Sequence, residues 1–334
     1  MRGGAAVLGA GSWGTALAIH LARGGVPTRL WARRPEMAAD LNKARENLLY
    51  LPAARFPEEL EVTAEIGAAL RGATLVLFVV PAQHSRGVFR AAVPVLEADC
   101  DLVIASKGIE PESLLRLSEV LALELQGRPA GRTISVLSGP SFAAEMVRGD
   151  PTALVAAGDD ESTRRLQGML STGGVRVYRN GDRVGVELAG ALKNIIALAA
   201  GIVEGIGFGS NTRAALITRG ASEISRLGTA LGGRASTFAG LAGMGDLILT
   251  CTGGLSRNRA VGAAIGSGRR LEEVLGEMRM VAEGVPTTRA AVALSERHRI
   301  EMPIARQVFE VLFEGRPARE AVADLLSRPL KEEA

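Results

Sequence analysis

The chain has 334 residues, of which 47% are hydrophobic and 22% are charged, and its formal net charge is +3. This length exceeds the ~250–300 residues at which one hydrophobic core usually divides, so two domains are expected. The slight positive charge is spread along the chain and does not predict a nucleic-acid partner. Cys100 and Cys251 lie far apart and lack the spacing of metal ligands. They indicate a reducing cytoplasm and predict neither a disulfide nor a metal site.

A glycine-rich turn follows the first apolar run of the chain. Residues 5–8 predict a buried strand, and Gly9-Ala10-Gly11-Ser12-Trp13-Gly14 leads from it into a predicted helix. This order is typical of a dinucleotide-binding fold. Gly9 would permit the tight turn, Gly11 would let a pyrophosphate approach the backbone, and Gly14 would let the helix pack on the strand. Because the chain enters this strand at once, no signal peptide is expected.

The first half of the chain alternates between strands and helices. Residues 75–80 are continuously apolar, as expected of a parallel strand that is covered on both faces. The alternation predicts an α/β Rossmann-type, doubly wound N-terminal domain. Candidate strands are residues 4–8, 28–31, 60–63, 75–80, 102–106, 133–137, 152–157 and 174–178, and candidate helices are residues 35–45, 85–96, 113–125 and 161–169.

Strand-like runs disappear after about residue 184, where alanine, leucine and glycine recur at helical spacing. We expect a dinucleotide-binding domain over residues 1–184 and an all-α substrate and catalytic domain over residues 185–334. A catalytic cleft would lie along the junction. Small residues are dense over 189–201, which allows helices to pack at short distance. Candidate helices are residues 187–204, 212–227, 256–265, 284–297 and 303–312.

The most hydrophobic long stretch covers residues 186–208. Lys193 and Asn194 interrupt it near its middle. A membrane span seldom tolerates such residues, so a buried helix in a globular core is expected there.

Two arginines follow the second predicted strand, where a domain that prefers NAD usually has an acidic residue. The strand continues as Ala32-Arg33-Arg34-Pro35-Glu36. Guanidinium groups suit the dianionic 2′-phosphate of NADPH, so NADPH is the predicted cofactor, with NADH also possible. A solvated turn before a helix is the alternative explanation of the same residues.

Two polar motifs follow predicted strands. Lys107, in Ser106-Lys107-Gly108-Ile109-Glu110, is expected in the cleft because ligands bind outside the carboxyl ends of such strands. An ordinary surface lysine is the alternative. Ser141, in Ser138-Gly139-Pro140-Ser141, stands near a predicted helix N-terminus that would bind an anion or a cofactor amide. Taken alone, this motif is explained better by a simple helix cap.

Lys193 lies in a predicted helix that is apolar nearly all round. Lysine is rarely buried without a purpose, and desolvation would lower its pKa enough for proton transfer near neutral pH. A lysine that faces solvent is the alternative. Asp246 is its candidate partner, or else an acid stabilised by a helix dipole. Ser256-Arg257-Asn258 begin a predicted helix and offer the donors of a phosphate clamp.

Nine stretches, in order, resemble the bacterial NAD(P)-dependent sn-glycerol-3-phosphate dehydrogenases. The resemblance implies reversible reduction of dihydroxyacetone phosphate to sn-glycerol 3-phosphate, for phospholipid synthesis. It also implies a cytoplasmic homodimer that acts on a small molecule. Ser210 and Arg213 replace the family's frequent Asp and Lys, but neither position is catalytic in the family's pattern. The stretches are residues 9–18, 47–52, 106–110, 138–143, 190–194, 214–220, 240–246, 256–259 and 281–285.

The resemblance also implies roles for single residues. Lys193 would be the proton donor and acceptor. The implied substrate contacts are Lys107, Gly139, Ser141, Lys193, Asp246, Ser256, Arg257 and Asn258. The implied cofactor contacts, together with Gly9, Gly11 and Gly14 of the turn, are Ser12, Trp13, Arg33, Arg34, Lys107, Ala143, Arg257, Val281 and Glu283.

Two other functions are compatible with these residues. One is a different dehydrogenase on the same two-domain plan, which acts on a 2-keto or 3-hydroxy acid whose carboxylate the Ser256-Arg257-Asn258 cluster recognises. The other is a non-catalytic sensor of the cofactor ratio. A buried lysine beside an acid would have little purpose in such a sensor.

Overall fold

The computed structural model describes residues 3–127, 132–330 and 332. The first half of the chain alternates between strands and helices, as predicted. Its elements are β1 (Gly4–Leu8), α1 (Ser12–Arg23), β2 (Thr28–Trp31), α2 (Pro35–Ala44), β3 (Glu46–Asn47), β4 (Leu51–Arg55), β5 (Leu60–Thr63), α3 (Ile66–Leu70), β6 (Ala73–Phe78), α4 (Ala82–Ala92), β7 (Asp101–Ile104), α5 (Leu117–Glu124), β8 (Ile134–Ser138), α6 (Ala143–Arg148), β9 (Thr152–Ala157), α7 (Asp160–Leu170) and β10 (Val175–Asn180).

Eight of these strands form one sheet in the order β5-β2-β1-β6-β7-β8-β9-β10. The strands are parallel from β5 to β8, which confirms the predicted doubly wound fold. The antiparallel pairing of β9 with β8 was not predicted, and β10 runs parallel to β9. The carboxyl end of β8 and the amino end of β9 therefore share one edge. That edge also carries the ends of β1 and β7.

The second half of the chain is helical. Asp182 starts the first of these helices, because its carboxylate accepts hydrogen bonds from the Gly185 N–H (2.8 Å) and the Thr237 hydroxyl (2.7 Å). The helices are α8 (Arg183–Ile206), α9 (Ser210–Ala230), α10 (Ala235–Phe238), α11 (Asp246–Thr252), α12 (Arg257–Gly266), α13 (Leu271–Glu277), α14 (Gly284–His298), α15 (Pro303–Phe313) and α16 (Ala318–Ser327).

Helix α8 lies at the centre of the helical half. It contacts α9, α10, α11, α12, α14, α15 and α16, and it also reaches β8 and β9 of the sheet. By length and composition α8 is apolar enough to cross a membrane, and one bent pair (235–252 with 257–266) passes the same test. The whole apolar window of α8 is buried inside the protein, as predicted for a core helix. Lys193 thus sits on the helix that joins the two halves of the chain.

Candidate active site

The turn between β1 and α1 has the geometry that its glycines predict. Gly9 adopts φ +123°, and a Cβ on Gly14 would lie 1.9 Å from the Gly9 carbonyl oxygen. No heavy atom among the described residues lies within 4 Å of the Cβ position of Gly11, which caps α1 without a side-chain hydrogen bond. The first N–H groups of α1 are therefore not capped by a side chain of the described residues, and Trp13 Nε1 is buried without a partner among those residues. The turn fits the pyrophosphate of a dinucleotide.

Asn47 holds this turn in place. Its side-chain amide is fully buried and donates to the Ala10 carbonyl (3.0 Å) and the Thr15 hydroxyl (2.8 Å). This role of Asn47 was not predicted, although Asn47 begins one of the stretches that carry the family resemblance.

Arg33 and Arg34 follow β2 at the same edge of the sheet, and both are exposed. Arg34 Nη2 lies 3.8 Å from the sulfur of Met37. Neither arginine forms an ion pair within the described part of the chain. Their charges are free to meet an anionic group in solvent.

The motifs after β7 and β8 meet at one carbonyl group. Lys107 Nζ donates to the Gly139 oxygen at 3.2 Å, and the Ser141 hydroxyl donates to the same oxygen at 3.2 Å. Gly139 has φ +123°, and a Cβ there would lie 2.9 Å from the carbonyl oxygen of Ala153 on β9. Lys107, which was predicted to lie in the cleft, also contacts Asp246 of the helical half through its Nζ.

Asp246 stands between two lysines. Its Oδ2 lies 2.5 Å from Lys107 Nζ and its Oδ1 lies 2.9 Å from Lys193 Nζ. Asp246 is 2% exposed and Lys193 is 5% exposed, so this ion-pair cluster is buried. Thr250 completes it: its hydroxyl accepts from Lys193 Nζ (2.5 Å) and donates to the Asp246 carbonyl (2.7 Å).

The pKa values of the cluster follow from burial and charge. Burial lowers the pKa of Lys193 to about 8, against the attraction of Asp246. Burial alone would raise the pKa of Asp246, but the two neighbouring ammonium groups outweigh it and hold that pKa below the ordinary value. The cluster therefore contains one ionised acid and a lysine that gains or loses a proton near neutral pH.

Local structure brings the cluster together. A π-helical turn over residues 241–245 leads into α11, so that Asp246 is the first residue of that helix and Thr250 follows one turn later. Gly190 of α8 leaves room for Ser138, whose Oγ would lie 2.8 Å from a Cβ at that position, and Lys107 Cγ lies beside it at 3.6 Å. Thr250 was not predicted, since a threonine in a helix has no distinctive sequence signal.

The start of α12 lies beside α8. The Ser256 hydroxyl caps α12 by accepting from the Arg259 N–H (3.3 Å). The Asn258 amide donates to Asn194 Oδ1 (3.0 Å) and accepts from the Gly284 N–H (2.9 Å). Its side chain is thus occupied within the protein. Among the described residues, the groups without a hydrogen-bond partner at this helix start are the backbone N–H groups of Arg257 and Asn258 and the exposed Arg257 side chain.

Glu283 lies beside the start of α4, the loop after β7 and Arg257 of α12. Its Oε1 accepts from the Ala82 N–H at the start of α4 (3.3 Å), and its Oε2 is buried without a partner among the described residues. A Cβ on Gly108 would lie 3.3 Å from that oxygen. Burial raises the pKa of Glu283 to about 7, against the attraction of Arg257.

The structure therefore joins Lys107, Gly139, Ser141, Lys193 and Asp246 in one hydrogen-bonded set. The start of α12 and Glu283 border this set through α8 and the loop after β7. The remaining predicted residues lie along the sheet edge or beside Glu283 and form no hydrogen bond or ion pair with the two lysines within the described part of the chain; they are Gly9, Gly11, Ser12, Trp13, Gly14, Arg33, Arg34, Ala143 and Val281.

A glycine turn built for a pyrophosphate and a buried lysine beside an acid define a class, the dinucleotide-dependent dehydrogenases. Family models agree. A model of the NAD-dependent glycerol-3-phosphate dehydrogenase N-terminus matches residues 4–164, and one of its C-terminus matches residues 182–323. The chain belongs to this family and is an NAD(P)-dependent oxidoreductase.

Individual relatives extend over nearly the whole chain. A glycerol-3-phosphate dehydrogenase (NAD(P)+) of Geobacter sp. (strain M21) is 53% identical over 329 residues, 98% of both chains. One of Moorella thermoacetica is 50% identical over 330 residues, which cover 98% of this chain and 97% of that protein. The crystal structure of glycerol-3-phosphate dehydrogenase from Coxiella burnetii superposes with a TM-score of 0.94 at 40% identity, over 98% of this chain and 99% of that one.

Proposed function

We propose that this chain catalyses the reversible NAD(P)H-dependent reduction of dihydroxyacetone phosphate to sn-glycerol 3-phosphate, which supplies glycerophospholipid synthesis. The relatives that bear the corresponding enzyme name cover 98% of the chain. The observation that carries the proposal is the buried pairing of Lys193 with Asp246, 2.9 Å apart at the junction of the sheet and the helices.

Lys193 is the proposed proton donor and acceptor. Bound cofactor supplies the hydride in one direction and accepts it in the other. As the substrate ketone is reduced, negative charge grows on its oxygen, and the Lys193 ammonium stabilises that charge and donates the proton. In the reverse direction neutral Lys193 removes the proton from the hydroxyl. Because the pKa of Lys193 is about 8, both forms are populated near neutral pH.

Asp246 and Lys107 support this step. Asp246 holds Lys193 Nζ and Lys107 Nζ on its two oxygens, so that both ammonium groups keep fixed positions. Lys107 adds a second positive charge beside the substrate, while Gly139 and Ser141 border it.

The substrate phosphate is proposed to bind at the start of α12. Ser256, Arg257 and the first N–H groups of that helix provide a hydroxyl, a guanidinium and the positive end of a dipole. Asn258 contributes its backbone N–H, because its side chain is occupied by Asn194 and Gly284. Anchoring the phosphate there orients the carbonyl toward Lys193.

The cofactor is proposed to lie along the sheet edge, with its pyrophosphate at the turn of Gly9, Gly11 and Gly14. Arg33 and Arg34 would meet the 2′-phosphate, so NADPH is the proposed preference and NADH the second cofactor. Further proposed contacts are Ser12, Trp13, Lys107, Ala143, Arg257, Val281 and Glu283.

Steady-state kinetics with dihydroxyacetone phosphate, run with NADPH and then with NADH, test the proposal. Consumption of reduced cofactor should depend on this substrate, and pyruvate-type keto acids should give little turnover. Faster turnover of keto acids would support the alternative dehydrogenase instead. Tight NADPH binding without oxidation by any ketose phosphate would support a sensor.

We also propose, from the family resemblance, a homodimer in the cytoplasm, with the domain boundary between residues 184 and 185. Strand β10 ends at Asn180 and α8 begins at Arg183, so the proposed boundary falls within the first turn of α8. Light scattering after size exclusion would measure the mass against the 34.9 kDa of one chain. A mass of one chain would contradict the dimer.

A further inference from the structure

Helices α8 and α12 touch backbone to backbone through four glycines. A Cβ on Gly201 or Gly205 of α8 would lie 2.0 or 2.1 Å from a carbonyl oxygen of α12. A Cβ on Gly262 or Gly266 of α12 would lie 2.1 or 2.2 Å from a carbonyl oxygen of α8. Ordinary contact begins at 3.4 Å, so any side chain at these positions forces the helices apart.

The two helices run in the same direction. Asn194 is bonded to Asn258, Leu198 lies against Gly262, and Ile202 lies against Gly266. Both helices therefore advance together from the site toward their carboxyl ends. The start of α12 lies beside the turn of α8 that carries Lys193.

This packing places two parts of the site at a fixed distance. Lys193 belongs to α8, and the proposed phosphate clamp (Ser256, Arg257 and the first N–H groups of α12) belongs to α12. Helices with ordinary side chains at the contact lie about 8–10 Å apart, and glycine pairs allow a closer approach. The separation of clamp and lysine is thus set by residues that touch neither substrate nor cofactor.

We propose that Gly201, Gly205, Gly262 and Gly266 are positioning residues that match the distance between the phosphate clamp and Lys193 to the length of a three-carbon ketose phosphate. The inference rests on the proposed function. A substrate held at both ends reacts only when its carbonyl meets Lys193, and a misplacement of 1 Å can cost about 100-fold in rate.

Gly262→Ala tests this inference, because Gly262 is the nearer of the two α12 glycines to the clamp and an added Cβ would meet the Leu198 carbonyl oxygen. The value of kcat/KM for dihydroxyacetone phosphate should fall about 100-fold. Inorganic phosphate, used as a competitive inhibitor, probes the clamp alone, and its inhibition constant should change less than about twofold. Dihydroxyacetone, which lacks the phosphate, probes Lys193 and the cofactor site, and its kcat/KM should also change less than about twofold.

Gly276→Ala is the matched control. Gly276 lies in α13, which packs on α12, and no heavy atom lies within 4 Å of its Cβ position among the described residues. All three measurements should remain at the wild-type values. Gly266→Ala, at the last residue of α12, is the second test variant. It should lower kcat/KM for dihydroxyacetone phosphate less than Gly262→Ala does and leave the other two measurements nearly unchanged.

The outcomes separate the possible roles of the glycines. Equal losses with dihydroxyacetone and its phosphate would overturn the inference, since Lys193 itself would then be disturbed. Unchanged kinetics in folded Gly262→Ala and Gly266→Ala would overturn it as well. Failure of both variants to fold would assign the glycines to folding alone. Failure of the wild-type protein to reduce dihydroxyacetone phosphate would instead refute the proposed function, before any variant is made.

Discussion

Two buried acids at the junction of the sheet and the helices, Asp246 and Glu187, belong to ion-pair clusters of opposite composition. One cluster has two cations and one acid, and the other has one cation and two acids. Asp246 is shared by two ammonium groups, those of Lys107 and Lys193. At the second acid the sharing is reversed, because Arg116 is shared by two carboxylates, Glu119 (2.9 Å) and Glu187 (3.2 Å). Both acids are nearly inaccessible to solvent, with Asp246 2% and Glu187 4% exposed.

The two clusters differ in how fully they are satisfied. The Glu187 carboxylate also accepts from the Ser118 N–H (2.8 Å) and the Ser118 hydroxyl (2.6 Å), which fixes the start of α5 on α8. Burial raises its pKa although Arg116 opposes the change. The Asp246 cluster has one more cation than acids, and burial lowers the pKa of Lys193 to about 8. A surplus of positive charge attracts an anion, whereas a satisfied acid only holds structure.

Among the changes that test the difference between the two clusters, Lys193→Ala should cause the largest loss of activity. Loss of a positioned proton donor typically costs roughly 100- to 10,000-fold, so turnover of dihydroxyacetone phosphate should fall by that amount. The dissociation constant for NADPH, measured by fluorescence, should stay nearly unchanged because the contacts of Lys193 Nζ are with Asp246 and Thr250 and not with the glycine turn. Normal turnover in this variant would end the assignment of Lys193.

The paired variants Asp246→Asn and Glu187→Gln test the difference between the acids directly. Asp246→Asn leaves the buried Lys193 ammonium and the partly buried Lys107 ammonium without their anion, so turnover should fall about 100-fold and the free energy of unfolding by about 3 kcal/mol. Glu187→Gln keeps an acceptor for the Ser118 N–H, so it should cost only about 1 kcal/mol and leave kcat unchanged. Thermal unfolding measures the loss of stability of both variants, and steady-state kinetics measures their loss of activity. Equal losses of activity would show that the acids play the same role.

The pH dependence should separate the two directions of the reaction. Ketone reduction needs the Lys193 ammonium, and the pKa of about 8 is below the ordinary 10.5. The rate of reduction should therefore fall about tenfold per pH unit above pH 8, while oxidation of sn-glycerol 3-phosphate should rise to a plateau there. In Asp246→Asn, both the fall in reduction and the rise in oxidation should occur at lower pH. The reason is that the Asp246 carboxylate, which raises the pKa of Lys193, has been removed. An unchanged pH profile in Asp246→Asn would argue against Lys193 as the titrating group.

The sequence predicted elements whose signal is local. Long strands such as β6 and long helices such as α8 agree with the prediction within a few residues, because their apolar period is strong over their whole length. The short hairpin of β3 and β4 was missed, since neither Glu46–Asn47 nor Leu51–Arg55 is an apolar run. The reversed direction of β9 was missed because strand direction is decided by pairing with distant residues.

The site shows the same limit. The unusual burial of Lys193 was visible in the sequence because its neighbours are apolar, and Asp246 was a candidate partner. Thr250 bonds to Lys193 57 positions away and has no signal of its own. Small residues over 189–201 indicated close helix packing, but only the structure identifies α12 as the partner of α8.

Arg33→Ala combined with Arg34→Ala should give a smaller effect than the changes at Lys193 and Asp246, because both arginines are exposed whereas Lys193 and Asp246 are buried. The KM for NADPH should rise about tenfold at low salt, and the KM for NADH should not change. Lys43→Ala removes an exposed charge from the end of α2 and is the control. Because exposed charges are screened, the preference of the wild-type protein for NADPH should shrink as ionic strength rises, while the loss in Lys193→Ala should persist. An equal rise of both KM values would place the arginines at a part of the site common to both cofactors.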